Sequence, residues 1–175
     1  MKKLSTGLLA VLLSACSVNA DTTLSFGADF KLTLPQTLMA GATVFSSDEL
    51  SVKTASKQLF SGKLLSVDSE MLPPDFSIHQ YPDYLLQRAP LTNLPAEIAA
   101  LFQQSSEEVN YSYDLDNLEI QDINQGKLYS LCKEMRCLAF VVKTANTDFI
   151  LTLHAMGMGK TEFTDLIKGG LDAKN

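Results

Sequence analysis

The sequence predicts an α+β fold: an antiparallel β-sheet packed with a few α-helices. Three observations lead there. Short alternating runs broken by prolines fill the first half. Two helical stretches occupy the middle, and the last third is a dense series of strand segments that ends in one helix. No internal repeat or low-complexity linker interrupts the chain.

Phe30-Lys31-Leu32-Thr33-Leu34 alternates apolar and polar residues and stops at Pro35, the pattern of a half-buried strand. Thr43 to Phe45 and Leu50 to Thr54 read as weaker strands, and Leu59 to Val67 as a strand with an irregularity at Gly62. Pro73-Pro74-Asp75 is a break. Pro82 to Arg88 reads as a short helix with proline in its first turn. Pro95 to Gln104 reads as a stronger one. Pro95 opens it, Glu97 suits the helix dipole, and Ile98, Leu101 and Phe102 share a face.

Val109, Tyr111, Tyr113 and Leu115 alternate with polar residues, which predicts a strand with both tyrosines in the core. Leu118-Glu119-Ile120 continues the pattern after an Asp116-Asn117 turn. Asn124-Gln125-Gly126 turns into Lys127 to Cys132, and Lys133-Glu134-Met135-Arg136 connects that run to Cys137 to Lys143 as a hairpin. Thr144 to Thr147 turns the chain again and Asp148 to His154 returns it. Leu138 to Val142 and Phe149 to Leu153 are dense in apolar and β-branched residues, as central strands are. Thr161 to Lys168 is the closing helix, with Thr161 placed to cap it and Gly169-Gly170 to end it.

The Phe30-x-Leu32-x-Leu34-Pro35 opening and the final strand running into a helix over Ile150 to Ile167 resemble the Mog1/PsbP-like fold. The resemblance covers the two ends of the chain. Members include small exported bacterial lipoproteins, and the family brings no catalytic motif. The resemblance therefore implies a sandwich-like accessory protein without enzymatic activity.

The first 20 residues have the make-up of an export signal. Lys2 and Lys3 give a positive start, and Leu8 to Ala15 is an apolar run too short to span a bilayer. Leu13-Ser14-Ala15-Cys16 resembles the lipobox of bacterial lipoproteins. That resemblance implies cleavage before Cys16, a lipid on Cys16 and, with Ser17 rather than Asp following, sorting to the outer membrane. Val18-Asn19-Ala20 offers a second route, ordinary cleavage after Ala20 and release as a soluble periplasmic protein. Residues 21–175 are expected to form one domain, long enough to bury a real core.

Either route removes Cys16 from the thiol pool and leaves Cys132 and Cys137. In an oxidising compartment an even pair at the neck of a hairpin predicts a disulfide. A C-x4-C pair can also be half a metal site, but no second Cys/His pair sits near it in sequence. Loss of Lys2 and Lys3 takes 14 basic residues to 12 against 20 acidic ones, a net charge of −8. Nucleic acid is disfavoured by that balance, because phosphate binding needs a basic surface. Contact with membrane is expected only through a lipid anchor at Cys16, and an envelope protein is the expected partner.

Several patterns invite a chemical reading and do not complete it. Gly159-Lys160-Thr161 lies between a strand and a helix, but the glycine a phosphate loop needs five positions earlier is His154. Asp114 to Glu119 opens like a calcium loop, then has Leu118 at a ligand position and Glu119 where glycine is required. His79 and His154, the two histidines, have no partner at ligand spacing, and no serine lies in a G-x-S-x-G context. No catalytic residue, metal or cofactor is expected. The irregular segment Met71 to Leu91, with Tyr81 and Tyr84, reads either as a binding loop or as a crossover packed on the sheet.

These features favour an exported, non-enzymatic binding protein of the cell envelope. An immunity or inhibitor protein that neutralises a basic toxin or hydrolase also fits, since its acidic balance suits such a partner. An enzyme would need a site assembled only in the fold.

Overall fold

The computed structural model describes residues 20–172. Its elements are β1 (Thr22–Phe26), β2 (Phe30–Leu34), α1 (Gln36–Met39), β3 (Thr43–Ser46), β4 (Leu50–Lys53), β5 (Leu59–Leu65), α2 (Tyr81–Leu85), α3 (Ala96–Tyr113), β6 (Glu119–Ile123), β7 (Gly126–Lys133), β8 (Arg136–Lys143), β9 (Ile150–Met156) and α4 (Lys160–Asp172). β3 to β9 form a seven-stranded sheet in the order β3-β4-β5-β9-β8-β7-β6, and β1 and β2 form a separate hairpin. Every strand pair is antiparallel. The fold is α+β.

The sheet is apolar on both faces at its centre, which is why β7, β8 and β9 read as near-continuous hydrophobic runs. On one face Phe60, Leu128, Ala139, Val141, Leu151 and Leu153 pack against the β1–β2 hairpin and α4, through Phe26, Leu32 and Phe163. On the other, Leu131, Leu138, Phe140 and Ile150 pack against α2 and α3, through Tyr84, Leu85 and Phe102. Successive residues of one strand therefore serve two cores.

Several expectations need correction. Val109 to Leu115 is not a strand. α3 runs 18 residues, through to Tyr113, because Phe102, Ser106, Val109 and Tyr113 recur at helical spacing on its inner side. Ser106 hides that stripe in the sequence. It is buried because its hydroxyl accepts a hydrogen bond from Gln87 Nε2 at 2.8 Å. Tyr111 is correspondingly 82% exposed rather than in the core, while Tyr113 is partly buried.

The closing helix does not stop at Gly169-Gly170 but continues to Asp172. A Cβ at residue 170 would lie 2.6 Å from both Leu32 Cδ1 and the Thr33 carbonyl oxygen. The glycine thus permits close approach of α4 to β2 instead of ending the helix. Thr161 lies inside the helix, not at its cap. Gly62 is no irregularity either. It pairs in register with Leu50 and Leu153, and a side chain there would collide with Leu153 and Phe26. β1 was not expected; its Leu24 and Phe26 alternate inward against the sheet.

Candidate functional site

A cleft of about 700 Å³ opens where β2, α1, the β4–β5 turn and α4 converge beside Asp21. Each wall has a local cause. Pro35 ends β2, and α1 turns Leu38 toward the core. Lys57, at φ +66°, closes the β4–β5 turn, where Gln58 N–H donates to Thr54 Oγ1 at 3.0 Å and Thr54 Oγ1 lies 2.9 Å from Ser56 Oγ. Gln58 Nε2 then donates to Glu162 Oε1 at 2.9 Å and to the Gly157 carbonyl at 3.2 Å, pinning this turn to the start of α4.

The lining is divided. Pro35, Leu38, Ala40 and Leu166 supply apolar surface. Among the described residues its charged groups are the carboxylates of Asp21, Glu162 and Asp165. Asp21 Oδ1 accepts from the Gln36 N–H at 3.0 Å and Glu162 is held by Gln58. The Asp165 carboxylate makes no side-chain hydrogen bond or ion pair among the described residues. A Cβ on Gly169 would meet nothing within 4 Å, so the missing side chain leaves room over this wall. Such a lining can bind a cationic group and an adjoining apolar one; it presents no nucleophile–base pair.

A smaller pocket of about 280 Å³ surrounds His154 on the α3 side of the sheet. Tyr113 Oη and His154 Nδ1 are 3.0 Å apart, and Glu49, Leu59, Ser61, Ala155 and Met156 complete the lining. Burial holds the His154 imidazole below its ordinary pKa; Glu49 opposes that shift and Lys63 adds to it. Burial also raises the Tyr113 phenol, against a lowering pull from Arg136. His79 lies far from this pocket, in a crossover, with its Nε2 on the Asn146 carbonyl.

The remaining residues singled out by sequence are placed as follows. Cys16 lies outside the described residues. Cys132 and Cys137 are cross-strand partners in the β7–β8 hairpin, and their sulfurs stand at disulfide distance, 2.02 Å. Tyr81 and Tyr84 turn inward. The Tyr84 ring packs on Phe76 and Phe102, and the Tyr81 ring meets Phe102 and Phe140 edge-on. The Tyr81 hydroxyl donates to Glu70 Oε2 at 3.0 Å, and burial followed by the Glu70 charge pushes its pKa up. The Tyr84 ring is part of the core between α2, α3 and the sheet, and the partly buried Tyr81 ring packs against it.

Lys160 of the Gly-Lys-Thr triplet bridges to Glu119 at 2.9 Å and to the Asn117 carbonyl at 3.1 Å. Asp114, the first residue of the calcium-like run, uses its carboxylate to accept from Asp116 N–H and Asn117 Nδ2. Among the described residues no group of three or more His, Cys, Asp or Glu is placed to hold a metal ion, and no helix is long and apolar enough to cross a membrane.

The cleft escaped the sequence because its carboxylates come from Asp21 and from residues 162 and 165, which only the fold brings together. Leu38 and Leu166 carried no signal that could have found it. No protein family, curated protein or solved structure matches this chain.

Proposed function

We propose that this is an exported accessory protein of the bacterial cell envelope that acts by binding and not by chemistry. It is anchored through a lipid on Cys16, or released into the periplasm after cleavage behind Ala20. The observation that carries the reading is the cleft beside Asp21. Its volume of about 700 Å³ falls within the usual range of ligand sites. Its pairing of carboxylates with apolar wall suits an amine, or the lysine and arginine side chains of a protein partner. The net charge of −6 for the whole chain adds long-range attraction for a basic partner. The same carboxylate lining favours, as a second reading, an immunity protein that neutralises a basic toxin or hydrolase.

The test is an affinity pull-down of the tagged protein from the envelope fraction at low and high salt, run beside a Glu162→Gln/Asp165→Asn variant. One stoichiometric partner is expected at low salt, lost at high salt and recovered at least about tenfold less by the variant, as removing charge-assisted contacts at 1.4 kcal/mol per factor of ten would produce. A secreted toxin or hydrolase as that partner selects the second reading. Equal recovery by variant and wild type, or none by either, counts against both.

A further inference from the structure

We propose that β3 is a self-association edge, joining two copies of this chain by antiparallel β3–β3 pairing about a two-fold axis normal to the sheet. The two edges of the seven-stranded sheet are built differently. β6 carries Glu119 and Asp122, and Lys160 clasps Glu119 from α4 at 2.9 Å. Charges of this kind keep an edge from pairing with another chain. β3, with the sequence Thr43-Val44-Phe45-Ser46, has no charge and no proline, and all four residues are exposed. It pairs with β4 on one side, and among the described residues no strand lies on the other. Val44 is 47% and Phe45 52% exposed, on opposite faces of the sheet.

The local charge pattern about the edge, and not the net charge, favours a second copy as the occupant. Thr43 lies opposite Lys53, and Ser46 lies opposite Leu50, just before the exposed Asp48-Glu49 turn. β3 thus has a lysine beside its beginning and carboxylates beyond its end. An antiparallel copy reverses this order, so each copy brings Asp48 toward the end of the edge beside the other's Lys53. The contact is isologous and made twice. A two-fold normal to the sheet keeps the same face up in both copies, so only residues of like face can stand opposite. The register centred on residue 45 sets the two Phe45 rings against each other and Val44 against Ser46. It covers both exposed apolar side chains and gives an aromatic cross-strand pair. A four-residue edge buries little area, so the dimer is concentration-dependent and at the small end of specific interfaces. The pairing does not rest on the cleft or on its ligand.

The test is sedimentation velocity across a concentration series, on protein produced from the whole coding sequence, with Phe45→Lys and, on the other edge, Ile120→Lys. The mass is expected to rise from one chain to two for wild type and Ile120→Lys, while Phe45→Lys stays at one chain with an unchanged circular dichroism spectrum. Phe45→Cys should form an intermolecular disulfide on mild oxidation at least about tenfold faster than Ile120→Cys, which keeps the question open to refutation even if the lysine variant fails to fold. A wild type of one chain throughout overturns the proposal. So does a Phe45→Lys variant that dimerises like wild type, or equal cross-linking from the two edges.

Discussion

His154 shows how one residue's surroundings set a property of the molecule. Its imidazole is half-buried against Tyr113, and the lost hydration disfavours the charged ring more than Glu49 restores it. The folded pKa therefore lies below the unfolded one, which is about 6.5. The unfolded chain takes up the proton first, so stability falls as pH drops below about 6.5. His154→Gln keeps a hydrogen-bonding side chain beside Tyr113 and removes the titration. Thermal midpoints of wild type and variant, measured from pH 7.5 to 5, should converge on acidification, with the wild type losing more. Parallel curves would show that His154 contributes nothing to the acid response. The sequence showed a histidine without ligand spacing, and that much was legible. Its tyrosine partner was not, because residues 113 and 154 meet only when α3 crosses the sheet.

At the scale of elements, legibility followed how much a segment's periodicity says by itself. The β7–β8 hairpin and β9 were readable because both faces of each strand are buried, leaving β-branched and apolar residues throughout. The rear of α3 was misread because Val109, Tyr111 and Tyr113 mimic a period of two, while the helical stripe passes through the small polar Ser106. The glycine pair of α4 was misread because glycine ends helices for one reason and permits close packing for another.

That distinction is testable within a single turn. Gly169→Ala adds a Cβ with no atom within 4 Å, in an ordinary helical position, and should raise stability by about 0.5–1 kcal/mol. Gly170→Ala drives the same methyl to 2.6 Å from the Thr33 carbonyl oxygen and should destabilise by roughly 1–3 kcal/mol. Urea denaturation of the two variants gives the signs directly. Stabilisation by both would mean that the glycines only weaken the helix and do not seat it on β2.

At the scale of the whole molecule, one sheet serves two cores. Residues 137, 139 and 141 of β8 face the α4 side, while 138, 140 and 142 face the α3 side. Neither core can dissolve without taking the strand that the other uses, so the two layers should unfold together. Phe163 lies at the centre of one core, tilted against Phe60 with ring centroids 6.2 Å apart. Phe102 lies at the centre of the other, among Phe76, Tyr81 and Tyr84. Phe163→Leu and Phe102→Leu should each cost about 1–1.5 kcal/mol. The sheet keeps the two sites from sharing partners, so the double variant should lose the sum to within about 0.5 kcal/mol. All three variants should still unfold in one transition, with circular dichroism and tyrosine fluorescence coincident. If Phe102→Leu instead splits the transition, with the α2–α3 layer melting first, the helices would be a separable cover on a sheet that stands with its other face alone, and the shared-strand argument would fail.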